Sequence, residues 1–79
     1  MDFEIIKTVI DVWDPIELLA HAPKDEYDNE SLQILQCYTE NTEKLGKVVF
    51  DVFQKAFNDT FSKNMNDCIK VANSIINQS

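Results

Sequence analysis

Four carboxylic acids and one phenol fall within six residues of this 79-residue chain: Asp25, Glu26, Tyr27, Asp28 and Glu30. Paired carboxylates perform general acid–base catalysis when burial raises the pKa of one of them. The plainer reading is a solvated helix start, where acids in the first turn favour the helix dipole, and it outweighs the catalytic one. The stretch also lacks the glycine and the ligand spacing of a calcium-binding loop. His21 is the single histidine, so no second imidazole can share a metal with it, and it is expected in a solvent-facing turn. Cys37 and Cys68 belong to no CxxC or Cys/His cluster and are expected to be reduced, buried thiols that act as small hydrophobes. No serine, cysteine or histidine sits in a nucleophile motif. The residues therefore predict no catalytic group, no metal and no cofactor. A small hydrolase built on the acidic cluster is the minor alternative.

The same residues can instead recognise a partner. An aromatic ring surrounded by carboxylates is a hot spot for a basic protein surface, which makes Asp25, Glu26, Tyr27, Asp28 and Glu30 the candidate partner-binding set. Charge supports this choice. The formal net charge is −7. Residues 1–40 carry ten acids against Lys7 and Lys24, a net of −8, while residues 41–79 carry four acids against five lysines, a net of +1. Such a balance disfavours nucleic acid and anionic membrane. The leading expectation is a small acidic, non-enzymatic protein-interaction module, and its sharper form is an immunity- or antitoxin-like inhibitor of a basic toxin or nuclease. A structural subunit of a larger assembly is a further class, and Phe50 and Phe61 are where it would leave an exposed apolar patch.

Helices must position these groups. Phe3, Ile6, Val9, Ile10 and Trp13 recur at spacings of three and four, with Ile5 and Val12 widening the stripe. Asp2 can cap that segment. It stops at Asp14-Pro15, since proline breaks the backbone hydrogen-bond pattern. Asp14, Pro15 and Glu17 read as the cap, first-turn proline and third-position acid of a short helix through Ile16, Leu18, Leu19 and Ala20. Pro23 ends it. A further helix, capped by Asp25 or Asp28, is expected to run to about Glu40 with Leu32, Ile34, Leu35, Cys37 and Tyr38 inward. Asn41-Thr42 starts another, on Leu45, Val48, Val49, Val52, Phe53, Ala56 and Phe57, with Phe50 off the stripe. A last helix from about Ser62 places Met65, Cys68, Ile69, Ala72, Ile75 and Ile76 on one face. One glycine and two prolines leave few sites for tight hairpin turns. The expected fold is all-α: one domain, 1–79, forming a small irregular antiparallel bundle of four longer helices plus one short helix.

The segment Trp13-Asp14-Pro15-x-x-Leu18-Leu19, followed by Ala22-Pro23-x-Asp25-Glu26-Tyr27-Asp28-x-Glu30, resembles the YugE-like family of small uncharacterised bacterial proteins. Phe53, Phe57, Phe61, Cys68, Ala72, Ile75 and Ile76 are similar to that family's C-terminal half. His21-Ala22 stands where the family carries a small glycine-bearing turn. The resemblance implies an all-helical fold and a bacterial source, and it brings no activity. Read from the residues alone, Trp13, Asp14, Pro15 and Pro23 have a structural role, with Asp14-Pro15 turning a corner over Trp13 and Tyr27 closing over the short helix. The structural and the partner-binding readings both stay open at this point.

The longest apolar runs, such as Val48-Val49-Phe50, are far shorter than the roughly 20 residues a membrane helix needs. Met1-Asp2-Phe3-Glu4 lacks the basic flank of a signal peptide, so the expected location is cytoplasmic. Far-ultraviolet circular dichroism is expected to show helix alone, with breaks near Asp14, residues 21–25, 41–43 and 58–62. A substantial strand signal would refute the fold.

Overall fold

Asp2 opens the first helix, α1 (Phe3–Trp13), by accepting a hydrogen bond from the Glu4 amide at 3.1 Å. Three more helices follow: α2 (Asp28–Gln36), α3 (Thr42–Phe57) and α4 (Met65–Asn77), with a 3₁₀ turn at Asn58–Thr60 before the last. This computed structural model describes residues 1–16 and 27–78. Among the described residues every regular element is helical. The short helix expected through Leu18, Leu19 and Ala20 lies outside them, as do His21, Pro23, Asp25 and Glu26; Ile16 is described, in a turn.

Local chemistry explains most boundaries. Asn41 caps α3 by accepting from the Lys44 amide at 3.0 Å. Asn64 and Asp67 form a reciprocal capping box on α4, at 2.9 and 3.3 Å. That box satisfies two orphan donors and places the start of α4 at Met65 rather than near Ser62. Asp14 closes α1 as expected, taking a left-handed conformation (φ 44°, ψ 64°) while its N–H donates to the Ile10 carbonyl at 2.9 Å; the short helix it was also expected to cap lies outside the described residues. Aspartate is one of the few residues that tolerate this conformation, and a proline after such a stop cannot extend the helix.

The second helix also differs. It ends at Gln36 rather than Glu40, where the Cys37 amide turns back onto the Gln33 and Ile34 carbonyls at 3.2 Å. Its inward stripe is Tyr27, Glu30, Ser31 and Ile34, a spacing of three and four that begins one turn earlier than the aliphatic residues suggest. Leu32 and Cys37 consequently face outward.

The core combines Ile6, Val9 and Ile10 of α1 and Ile34 of α2 with Leu45, Val49 and Phe53 of α3 and Cys68, Val71, Ala72 and Ile75 of α4. Phe53, fully buried, is the centre of an aromatic cluster. Its ring stacks on Phe57 and Phe61, with centroids 5.8 and 5.6 Å away, and meets the edges of Trp13 and Tyr27 at 5.7 and 5.8 Å. Stacked and edge-on pairs at these separations each add to the area they bury. Phe50, off the α3 stripe, lies 5.9 Å from Phe61, which is itself buried. Neither ring forms the exposed patch that a larger assembly would require. Among the described residues no helix is long and apolar enough to cross a membrane.

Helices α3 and α4 approach each other closely at Gly46, buried on α3. A Cβ there would stand 2.7 Å from Ile69 Cγ1 and 3.0 Å from Ile69 Cα, so α3 and α4 meet backbone to backbone. Gly46→Ala gains about 1 kcal/mol of helix propensity but loses about 1–3 kcal/mol to overpacking. The expected net is a loss of about 1 kcal/mol, which lowers the thermal midpoint by roughly 4–8 °C. A raised midpoint would show that the helices part without cost. The cysteines provide a second check. Burial, and then the neighbouring Asp67 carboxylate, push the Cys68 thiol up to about 12. In native buffer Cys37 should therefore label fast and Cys68 only on unfolding.

Candidate functional site

Tyr27 is the centre of the expected binding surface, and its side chain is fully buried. The ring packs against Phe53 and Phe57, the latter at 6.2 Å. Its hydroxyl donates to Asp14 Oδ1 at 2.5 Å and accepts from the Ile16 amide at 3.4 Å. A buried phenol needs such partners, because an unpaired hydroxyl in apolar surroundings costs several tenths to a few kcal/mol. The hydrogen bond joins the left-handed residue that ends α1 to the residue that precedes α2.

A second tie runs beside it. Lys7 Nζ sits 2.7 Å from Asp28 Oδ1, at the start of α2, and 3.2 Å from Asp11 Oδ2, one turn along α1. The hydrogen bond to Asp28 raises the Lys7 pKa above its ordinary value; burial opposes this, and Asp11 reinforces it. A raised lysine pKa means that the contribution is complete at neutral pH. It fades only as the pH climbs through that raised value.

The three described candidate binding residues are thus not gathered on one exposed surface. Tyr27 and Glu30 face the interior, and Asp28 is half-buried in an ion pair with Lys7. Asp25 and Glu26 lie outside the described residues, as does Pro23. Of the structural set, Trp13 is half-buried, with its indole edge-on to Phe53 and to Phe61 at 6.1 Å. Pro15 is buried next to Asp14. No cluster of three or more metal-ligating side chains occurs among the described residues.

The apolar surface lies elsewhere. Val12, expected to widen the inward stripe of α1, is 83% exposed. It borders a groove of about 350 Å³ between α1 and α4, floored by Val9 and Val71 and bounded by the Trp13 ring. Thr8, Lys70 and Ser74 lie along its rim. Lys70 makes no ion pair among the described residues, and Asp67 stands one turn before it on the same helix. The sequence signal for this groove was available. Val12 falls one position short of the Phe3–Ile6–Ile10–Trp13 row, on the outer side of the wheel with Thr8 and Glu4.

A family model described as a domain of unknown function, DUF1871, matches residues 4–78, and the chain belongs to that family. No curated protein matches it, and no solved structure does.

The Tyr27–Asp14 hydrogen bond can be isolated by mutation. Tyr27→Phe keeps the ring packing and removes the hydroxyl, with an expected loss of about 1.5–3 kcal/mol, the range for a bond to a charged group. Urea melts of Tyr27→Phe, Asp14→Ala and the double variant form a thermodynamic cycle. Losses that simply add would show that the two groups are not coupled.

Proposed function

We propose that this DUF1871 protein is a small acidic, non-enzymatic protein-interaction module of the cytoplasm, and that its partner presents a basic surface. The observation that carries this reading is the unequal charge: a net of −8 over residues 1–40. Asp2, Glu4 and Glu40 hold part of that charge at the surface, while the ammonium of Lys7 is taken up by Asp11 and Asp28. A concentrated field of one sign speeds encounter with an oppositely charged protein and rejects like-charged ones. An inhibitor of a basic toxin or nuclease is the sharper form of this role. The YugE-like resemblance adds a bacterial source.

The burial of Tyr27 changes which residues the test must use. Glu30→Gln or Tyr27→Ala would perturb the core, so neutralisation belongs at exposed positions. Glu4→Gln combined with Glu40→Gln should leave the melting curve near that of the parent. With a basic partner captured from cell extract, the same changes should slow association and flatten its salt dependence. An association rate that ignores both salt and these substitutions would rule the reading out.

A further inference from the structure

We propose that the groove between α1 and α4 binds a small aliphatic carboxylate, with its chain on Val9, Val12, Val71 and the Trp13 ring and its carboxylate on the ammonium of Lys70. This site is separate from the acidic surface of the reading above, and either can fail without the other. Size, apolar surface and charge support it.

The groove holds about 350 Å³, at the lower end of the range of small-molecule pockets. Its apolar part is compact. Val9 and Val71 are nearly buried and form the floor, and Val12, 83% exposed, stands beside it with the half-buried Trp13. The remaining uncharged lining, Thr8, Ser74 and Gln78, is polar. Four apolar side chains bordered in this way match one short hydrocarbon chain rather than a broad protein face. An apolar floor with a few convergent polar groups is the usual form of a small-ligand site.

Charge selects the head group. Only Asp67 and Lys70 are charged among the lining residues. Asp67 is committed, because its Oδ2 accepts from the Asn64 amide at 3.3 Å in the capping box of α4. Lys70 is not. It makes no ion pair among the described residues, and it is the one exposed charged side chain of α4. The other exposed positions of that helix, Met65, Asn66, Asn73, Ser74 and Asn77, are uncharged. The Ser74 hydroxyl donates to the Lys70 carbonyl at 3.2 Å, so it is turned to its own helix and leaves the head group to the ammonium. Residues 41–79, which include α4, carry a net of +1, so the negative charge of the chain is concentrated elsewhere. A lysine can lay its methylene stem on apolar surface and keep its ammonium at the edge. An aliphatic carboxylate complements that arrangement, with a chain for the floor and one negative charge for Lys70.

Octanoate is the probe, read by calorimetry and by the emission of Trp13, the only tryptophan. It should bind and shift that emission. Hexanoate should bind about tenfold more weakly, the effect of two buried methylenes. Octylammonium, with the same chain and the opposite charge, should bind at least about fivefold more weakly. Lys70→Gln should weaken octanoate about fivefold, the upper end for an exposed ion pair, and leave octanol unchanged. Lys70→Glu should reverse the preference between octanoate and octylammonium. Val12→Ser should weaken all eight-carbon ligands alike. Both positions are exposed, so each variant should melt like the parent.

Neither heat nor an emission change with octanoate at millimolar concentration would overturn the site. Equal binding of octanoate and octylammonium, or an order unchanged by Lys70→Glu, would overturn the carboxylate and leave simple hydrophobic adsorption. Octanoate binding that ignores Val12→Ser would place the ligand outside the groove. In sedimentation, a dimer that Val12→Ser dissolves and octanoate does not would give the groove to a second copy. None of these outcomes bears on capture of a basic partner, so the two readings fail separately.

Discussion

The hydrogen bond from the Tyr27 hydroxyl to the Asp14 carboxylate is the constraint on which the first half of the molecule depends. Asp14 takes a left-handed backbone to end α1, and its carboxylate is thereby presented to the phenol that precedes α2. Once Tyr27 is inside, Glu30, Ser31 and Ile34 follow it inward by helical spacing. Lys7 then meets Asp28 across the same junction. One buried phenol thus sets the rotation of α2 about its axis and, through that, which of its side chains see solvent.

Beyond its helix caps, the second half is organised by packing. Phe53 touches Trp13, Tyr27, Phe57 and Phe61, so aromatic contacts join the corner, α3 and the turn before α4. Gly46 allows Ile69 of α4 to reach the backbone of α3. A chain of this size buries only about 60% of the surface its unfolded form exposes, and close helix contact is one way to gain dispersion energy without more residues.

These two arrangements redistribute the surface chemistry. The aromatic ring among carboxylates is in the core, and the most exposed large hydrophobe among the described residues is Val12, on the far side of α1 from the acidic junction. The Tyr27 ring and Glu30 are therefore withheld from contact at the surface.

The sequence by itself determined that the fold is helical, and most of where its helices begin and end. Asp2, Asn41 and Asn64 cap their own helices through neighbours two or three residues away, and such bonds are written into local order. Most of the stripes of α1, α3 and α4 were legible for the same reason, since aliphatic residues repeat with the helical period; Val12, Ala56 and Met65, expected inward, are exposed. Family membership was legible at the level of an uncharacterised domain, and function was not. Tertiary structure alone decided the direction in which α2 faces, because its inward positions include a glutamate and a serine that hydrophobicity would place outside. It also decided that Cys37 is exposed while Cys68 is buried. Each of these depends on a partner distant in sequence: Asp14 for Tyr27 at the start of α2, and α3 packed against α4 for Cys68. Local periodicity carries no information about which distant surface will arrive to cover a residue.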